Sequence, residues 1–184
     1  MFNFREDTLT RRAFTHAGPR IKLSPFPRKA EGFSIQSSLM IPIVKDLDNS
    51  EGNGRPFLDY DSHVWLTQLF YDLPINDWLQ LFFESDVYLY VQRDFSSGDG
   101  TFVENPYSAF ANFYPTDRWT VYTNAQFTPT YGGQPFSSYF VQTGIGMKYQ
   151  IIEGFEAEIL YTNFVHGFNA GAGQTFNVGV RVVR

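Results

Sequence analysis

Acidic residues in this sequence recur in pairs at a spacing of two, the spacing at which two side chains share one face of a β-strand. Glu84 and Asp86 form one pair, and Glu156 and Glu158 form another. Paired carboxylates such as Glu84 and Asp86 can act as a general acid and a general base, but no activated nucleophile accompanies this pair. Carboxylates two apart on a strand are commonly solvated neighbours, so the pairs do not predict catalysis.

The same acids, taken together with the basic residues, indicate a charged inner wall. If residues 151–154 form a hairpin turn, Lys148 falls opposite Glu158, within reach of a cross-strand ion pair. The charged residues that we expect on this face are Arg20, Lys22, Glu84, Asp86, Lys148, Glu156, Glu158 and Arg181. They would form either a constriction that selects solutes or a set of paired charges that fills a narrow barrel, and small barrels favour the second.

Glycines share this expected inner phase with tyrosines. We expect Gly144, Gly146 and Gly179 to make room for Tyr88, Tyr90 and Tyr122, which are the tyrosines of the same face. Such an arrangement is typical of packing inside a barrel.

Two further patterns suggest chemistry only weakly. His16, His63 and His166 lie far apart in the sequence, and a triad of a histidine with Ser62 and Asp61 would have to be shown by geometry. The loop 46–52 carries carboxylates at alternate positions, as calcium loops do, but its glycine comes one place late and no helices flank it. Sequence reasoning therefore predicts no enzyme, no metal and no cofactor.

Composition excludes several function classes. Aromatic residues make up 18% of the 184 residues, with 20 Phe and 11 Tyr, which suits strands better than helices. A net charge of −5 without a basic block excludes a nucleic-acid partner. Without cysteine there is neither a disulfide framework nor a thiolate. No run of about 18 apolar residues predicts a spanning helix, which leaves the β-barrel as the other backbone that can cross lipid.

Alternation of apolar with polar or small residues predicts nine strands. The clearest runs from Trp78 to Arg93, with Leu79, Leu81, Val87 and Leu89 on the face we expect to meet lipid and Gln80, Glu84 and Asp86 on the face we expect to line a lumen. The other eight are expected at residues 13–24, 33–44, 62–72, 105–114, 119–130, 139–150, 155–164 and 174–184. Several reach ten residues or more, longer than strands of soluble proteins usually are.

The connections between these strands alternate in length. Short links are expected at residues 25–32, 72–77, 115–118 and 151–154, long links at 45–61, 94–104 and 165–173, and one of intermediate length at 131–137. Short turns on one rim and long loops on the other are typical of outer-membrane barrels, with the long loops outside the cell. Aromatic residues beside the short turns predict an interfacial girdle, formed by Phe33, Tyr71, Trp78, Phe113, Trp119, Tyr149 and Phe155.

Two segments carry a resemblance to a known group of proteins. The segments 33–38, Phe-Ser-Ile-Gln-Ser-Ser, and 171–181, Gly-Ala-Gly-Gln-Thr-Phe-Asn-Val-Gly-Val-Arg, resemble poorly characterised outer-membrane β-barrel proteins of Bacteroidetes-type bacteria. The resemblance extends from about Asp7 to Arg184. It implies a Gram-negative outer membrane and an up-and-down barrel fold, and it carries no catalytic motif.

The predicted fold is therefore all-β: an antiparallel up-and-down transmembrane barrel with about nine strands, in a single domain over 1–184. Residues 1–12 are expected to form an extracellular loop or a partial strand. Because bacterial barrels have an even number of strands, we expect this to be the C-terminal portion of a larger barrel, with an odd number of strands and a signal peptide upstream, unless residues 2–12 supply a tenth strand. The expected function is a porin-like small-solute pore or a structural barrel with the lipid bilayer as its partner. The alternative is a soluble lipocalin-like binder with Phe82, Tyr88 and Tyr90 lining an apolar cavity.

Overall fold

The computed structural model describes residues 13–45, 47, 58–93, 101–132, 134–170 and 173–182. Within these ranges the chain is all-β, and no helix is long and apolar enough to span a membrane. The strands are β1 His16–Ala17, β2 Arg20–Leu23, β3 Phe33–Pro42, β4 Ser62–Asn76, β5 Leu79–Gln92, β6 Phe102–Glu104, β7 Tyr107–Thr116, β8 Trp119–Gly132, β9 Gln134–Ile152, β10 Phe155–Phe168 and β11 Gln174–Val182.

All eleven strands form one antiparallel sheet in which neighbours along the chain are neighbours in space. Two breaks interrupt strands without changing their direction or register. β1 and β2 both pair with β3, and β6 and β7 both lie between β5 and β8, in the same register on either side of the break. Pro19 and Pro106 lie in these breaks, where proline lacks the amide that a ladder needs. The described chain therefore crosses the sheet nine times, as the alternation predicted.

Tight turns join the strands on one rim. Asp77 and Trp78 connect β4 to β5, and residues 117–118 and 153–154 connect the next two hairpins of this rim. The Asn76 side chain accepts a hydrogen bond from the Trp78 amide at 3.1 Å. Gly154 has a φ of 77°, a conformation that glycine adopts without the strain of a Cβ. The short turns predicted at these three places are thus present.

On the opposite rim, two predicted links are shorter than expected. The residues predicted as an intermediate link at 131–137 belong almost entirely to β8 and β9, which stay paired up to Gly132 opposite Gln134. β10 likewise continues to Phe168, four residues beyond the predicted end at 164. In both cases the ladder continues because each hairpin partner provides backbone groups for the other. Most of the predicted long loops 45–61 and 94–104, including the acidic segment 48–52 with Asp46, lie outside the described residues.

The sheet has two ends. The β1–β2 strand pairs only with β3, and β11 pairs only with β10; among the described residues no ladder joins the two ends. After nine antiparallel crossings, the first and last strands run in the same direction. The described residues thus form a continuous antiparallel sheet whose closure is not established, and the larger barrel stays a prediction.

Burial differs between the two faces of the sheet in an unusual way. The polar residues Ser38 and Asp86 are 4% and 5% exposed. Large apolar residues of the opposite phase are exposed to solvent: Trp65 is 56% exposed, Ile145 58% and Val178 85%. We call the more buried phase the inner face and the other the outer face. In soluble proteins the distribution is the reverse, with large apolar residues buried and polar residues exposed.

Candidate functional site

Every charged residue of the described strands lies on the inner face. These residues are Arg20, Lys22, Asp72, Glu84, Asp86, Glu104, Lys148, Glu156, Glu158 and Arg181. The assignment follows from the ladders, because residues directly opposite each other on neighbouring strands share a face. Lys22, for example, begins a row that runs through Gln36 and Gln68 to Asp86. The outer face of the described strands carries no Asp, Glu, Lys or Arg.

Lys148 and Glu158 lie directly opposite each other on β9 and β10, and their charged groups are 3.7 Å apart. The ion pair that the hairpin register predicted is therefore confirmed. The Tyr122 hydroxyl, one strand further on β8, donates a hydrogen bond to Glu158. The Lys148 ammonium also lies 4.9 Å from the centre of the Tyr122 ring. The three side chains form one compact charged cluster.

A second ion pair neutralises the end of the sheet. Arg181 on β11 donates from Nη2 to a Glu156 oxygen at 2.7 Å, and its Nε lies 3.2 Å from the same oxygen. Both carboxylates of β10 therefore have a cation beside them. The inner wall formed by β9 to β11 is locally balanced in charge.

Glu84 and Asp86 have a different environment. Both accept hydrogen bonds from the Nε2 group of Gln68, at 2.9 and 3.3 Å. Gln36 in turn donates to Gln68 Oε1 at 2.5 Å, which orients that amide toward the carboxylates. One carboxylate oxygen of Asp86 is buried and has no hydrogen-bond partner. Two acids thus share one neutral donor.

Three glycines were predicted to make room for tyrosines of the inner face. One of them, Gly146, does so for Tyr122. A Cβ at Gly146 would lie 2.2 Å from the Tyr122 ring. A Cβ at Gly144 would meet Asn124 instead, at 2.3 Å, so this glycine does not accommodate a tyrosine. Gly179 has no atom within 4 Å of such a Cβ, because it lies on the last strand of the described sheet. The predicted role is wrong at Gly144 and Gly179.

Aromatic side chains fill part of the inner face near each rim. Phe82 stacks on Phe70 at 5.8 Å and packs against Phe110 at 5.5 Å, on the side of the short turns. Towards the other rim Tyr90 stacks on Phe102 at 4.4 Å, next to Tyr88 and Tyr60. Burial raises the pKa of Tyr60, which precedes β4, and the charges of Glu104 and Asp59 raise it further. These phenols are neutral packing groups.

The residues predicted as an aromatic girdle lie along the short-turn rim, in or beside the outer phase. Phe33 is directly opposite Tyr71 on the next strand. Trp78 stacks on Phe113 at 6.1 Å, and Trp119 packs on Tyr149 at 4.5 Å. Phe155 begins the following strand opposite Ile152. We call these seven residues the turn-side row.

Sequence reasoning missed a second aromatic row on the outer face. Tyr107 stacks on Phe127 at 6.5 Å, Phe127 contacts Tyr139 at 5.9 Å, and Tyr139 stacks on Phe168 at 6.3 Å. We call these four residues the loop-side row. Tyr139 and Tyr149 are ten residues apart on β9, which is about 33 Å along a strand. The sequence signal that could have predicted the loop-side row is the presence of aromatic residues of the outer phase at the strand ends opposite the short turns.

The histidine triad does not form. Ser62 and His63 are consecutive residues of β4 and so point to opposite faces, and the Asp61 carboxylate is bound by Arg93. The Nδ1 atom of His16 lies 3.4 Å from an Asp59 carboxylate oxygen, and its Nε2 atom lies 2.9 Å from the backbone carbonyl oxygen of Ser62. The ring therefore contacts the Ser62 backbone and not the serine hydroxyl. Among the described residues, no group of three His, Cys, Asp or Glu side chains could hold a metal ion.

Comparison of the chain with protein-family models, with curated proteins and with solved structures found no match. What can be inferred about function therefore depends on the two faces of the sheet and on the polar groups of the inner one.

Proposed function

We propose that this sheet is the wall of a β-barrel in the outer membrane of a Gram-negative bacterium, and that its polar inner face lines a lumen through which small solutes diffuse passively. The observation that carries the proposal is the separation of charge. All ten charged strand residues lie on the inner face, and the outer face is apolar and open. A bilayer is the solvent in which an open apolar face is stable.

The two aromatic rows support a membrane setting. At the strand tilt of outer-membrane barrels they would lie about 25 Å apart in height, near the thickness of the apolar band of such barrels. Between them the outer face carries aliphatic residues such as Ile145 and Ile159, which are 58% and 50% exposed. A groove of about 410 Å³ on this face, bordered by Leu69, Phe83 and Tyr107, has the size and apolar lining that suit an acyl chain. Closure of the sheet is part of the proposal, because unpaired backbone groups in lipid cost several kcal/mol each.

The soluble lipocalin-like alternative requires the opposite arrangement. Its cavity would be apolar and its outer surface polar. The residues that would line such a cavity, Phe82, Tyr88 and Tyr90, do share the inner face, but Glu84 and Asp86 lie between them. An apolar ligand in this place would bury both carboxylates against hydrocarbon, which is unfavourable.

An open lumen is favoured over a filled one by the way the inner side chains bond. Gln142 donates to Gln126 at 2.6 Å and Gln80 to Asp72 at 2.9 Å, each between adjacent strands. These bonds run along the wall, which supports an open lumen.

Spin labels placed along β5 test the membrane setting, and the absence of native cysteine makes each label unique. Labels at Leu81, Val87 and Leu89 should be relaxed by oxygen dissolved in lipid, and labels at Gln80 and Gln92 by a water-soluble nickel chelate. Relaxation of the first group by the chelate would instead favour the soluble alternative. Conductance in a planar bilayer then tests the open lumen, and a folded, inserted protein without conductance would contradict it.

A further inference from the structure

Burial on the inner face of β4 increases towards the rim opposite the short turns, which we call the loop rim. Ser62, Val64 and Leu66, the inner-face residues of β4 nearest this rim, are 0%, 3% and 5% exposed. Further along the same face, towards the short turns, Gln68 and Phe70 are only partly buried. Neighbouring strands lie beside β4 and not over it. Another part of the chain therefore covers this end of its inner face.

The cover is the described end of the connection that leads into β4. The Ser62 amide donates to the Tyr60 carbonyl at 2.9 Å, which closes a three-residue turn at the beginning of the strand. This turn bends the chain away from the line of β4. The Leu58 amide donates to the Leu47 carbonyl at 2.9 Å, and Leu47 is 0% exposed. A fully buried leucine bound to residue 58 shows that this segment is packed against the protein.

Two consecutive residues of the segment reach in opposite directions across the inner face. An Asp59 oxygen lies 3.4 Å from the ring of His16 on β1. Tyr60 packs edge-on against Tyr90 of β5 at 5.4 Å and against Phe102 of β6 at 5.1 Å. Because β3 and β4 lie between β1 and β5, the segment crosses the inner face of both strands. At about 4.8 Å per strand, its contacts extend over about 14 to 19 Å of the wall.

Charged contacts hold the segment in this position. Asp61 forms an ion pair with Arg93, which follows β5. The same Arg93 nitrogen donates to the Val44 carbonyl at 2.6 Å, so one guanidinium joins the two ends of the β3–β4 connection. On the other side, the His16 ring beside Asp59 is buried, with 8% of its side chain exposed. The segment is thus anchored from β1 and from the end of β5.

We infer that residues 58–61 form the constriction of the proposed pore at its loop rim, with Tyr60 as the side chain that limits solute size; this role rests on the proposed function. A segment lying over the wall takes up part of the cross-section of a lumen, and the narrowest point of a pore determines which solutes pass. Tyr60 is 42% exposed although its ring edge packs on two other rings, so part of this residue faces the open space.

The first test measures single-channel conductance of the whole chain in a planar bilayer, in potassium chloride with polyethylene glycols of increasing size. We expect Tyr60→Ala to conduct more than the unmodified protein and to admit larger polymers. The matched control is Tyr161→Ala, which removes the same side chain from the outer face of β10 and should change neither quantity. Unchanged conductance and polymer cut-off in Tyr60→Ala, or an equal change in the control, would overturn the inference.

The second test follows the segment without conductance, by a spin label at Leu58→Cys, which is unique because the chain has no native cysteine. We expect an immobilised label that becomes mobile when Asp59→Ala/Asp61→Ala removes both ion pairs. The label should stay immobilised in Asp77→Ala/Glu153→Ala, which removes two acids from the tight turns. Circular dichroism checks that the sheet is intact. A mobile label in the otherwise unmodified protein would overturn the inference, whereas an immobilised label without conductance in any variant would contradict the pore.

Discussion

Replacing Ile145 by arginine measures whether the outer face meets lipid. Ile145 lies on β9 between the two aromatic rows, four residues from Tyr149 and six from Tyr139. At about 3.3 Å per residue and a tilt near 40°, it is about 10 Å in height from the turn-side row of a band about 25 Å tall, close to the midplane. An arginine at the midplane of an outer-membrane barrel costs about 2 to 4 kcal/mol.

In water the same change would cost little. Ile145 is 58% exposed, and exposed substitutions usually change stability by less than about 0.5 kcal/mol. The control is Gln142→Arg on the inner face of the same strand, which loses one hydrogen bond to Gln126 and should cost about 1 kcal/mol. The free energy of unfolding of each variant is measured by urea titration in phospholipid vesicles. A cost for Ile145→Arg no greater than that of Gln142→Arg would refute the assignment of the outer face to lipid.

Three further predictions follow from depth, space and topology. Leu81→Arg should destabilise the folded protein less than Ile145→Arg in the same titration, because Leu81 lies two residues from Leu79, which is opposite the turn-side residue Phe113; a larger cost would contradict the placement of that row. Gly146→Ala should cost about 1 to 3 kcal/mol because its Cβ would overlap the Tyr122 ring, whereas Gly179→Ala should be near neutral, and equal unfolding free energies would argue against the packing. In intact cells an impermeant maleimide should label Ala170→Cys on the loop rim and leave Asp117→Cys on the turn rim unlabelled, and the reverse pattern would invert the orientation.

The loop-side aromatic row shows how strand length limits prediction. Residues 131–137 contain two glycines and a proline, which locally favour a loop. In the structure their neighbours remain paired, and β9 extends to nineteen residues. The pairing depends on backbone partners from the facing strand, which local composition does not report. Tyr107, Phe127 and Tyr139 form a row only once these strands are aligned.

By itself the sequence determines the two-faced character of this protein. The period of two places Leu79 and Leu81 on one face and Glu84 and Asp86 on the other, and the short link 151–154 predicts a hairpin of β9 and β10. The register that sets Lys148 opposite Glu158 also requires the β-bulge between Phe155 and Glu156. These features are local, because a strand's phase and a tight turn involve neighbouring residues.

Only the tertiary structure decides which charges are compensated. Gln36, Gln68 and Asp86 come from three strands and from positions up to fifty residues apart, and they meet because two ladders share one register. Register between strands depends on many long-range backbone hydrogen bonds and side-chain pairs together, so the phase of each strand alone does not determine it. For the same reason the sequence contained the Glu84–Asp86 pair, but only the assembled sheet shows that both carboxylates accept from the Gln68 amide and that neither forms an ion pair with a described base.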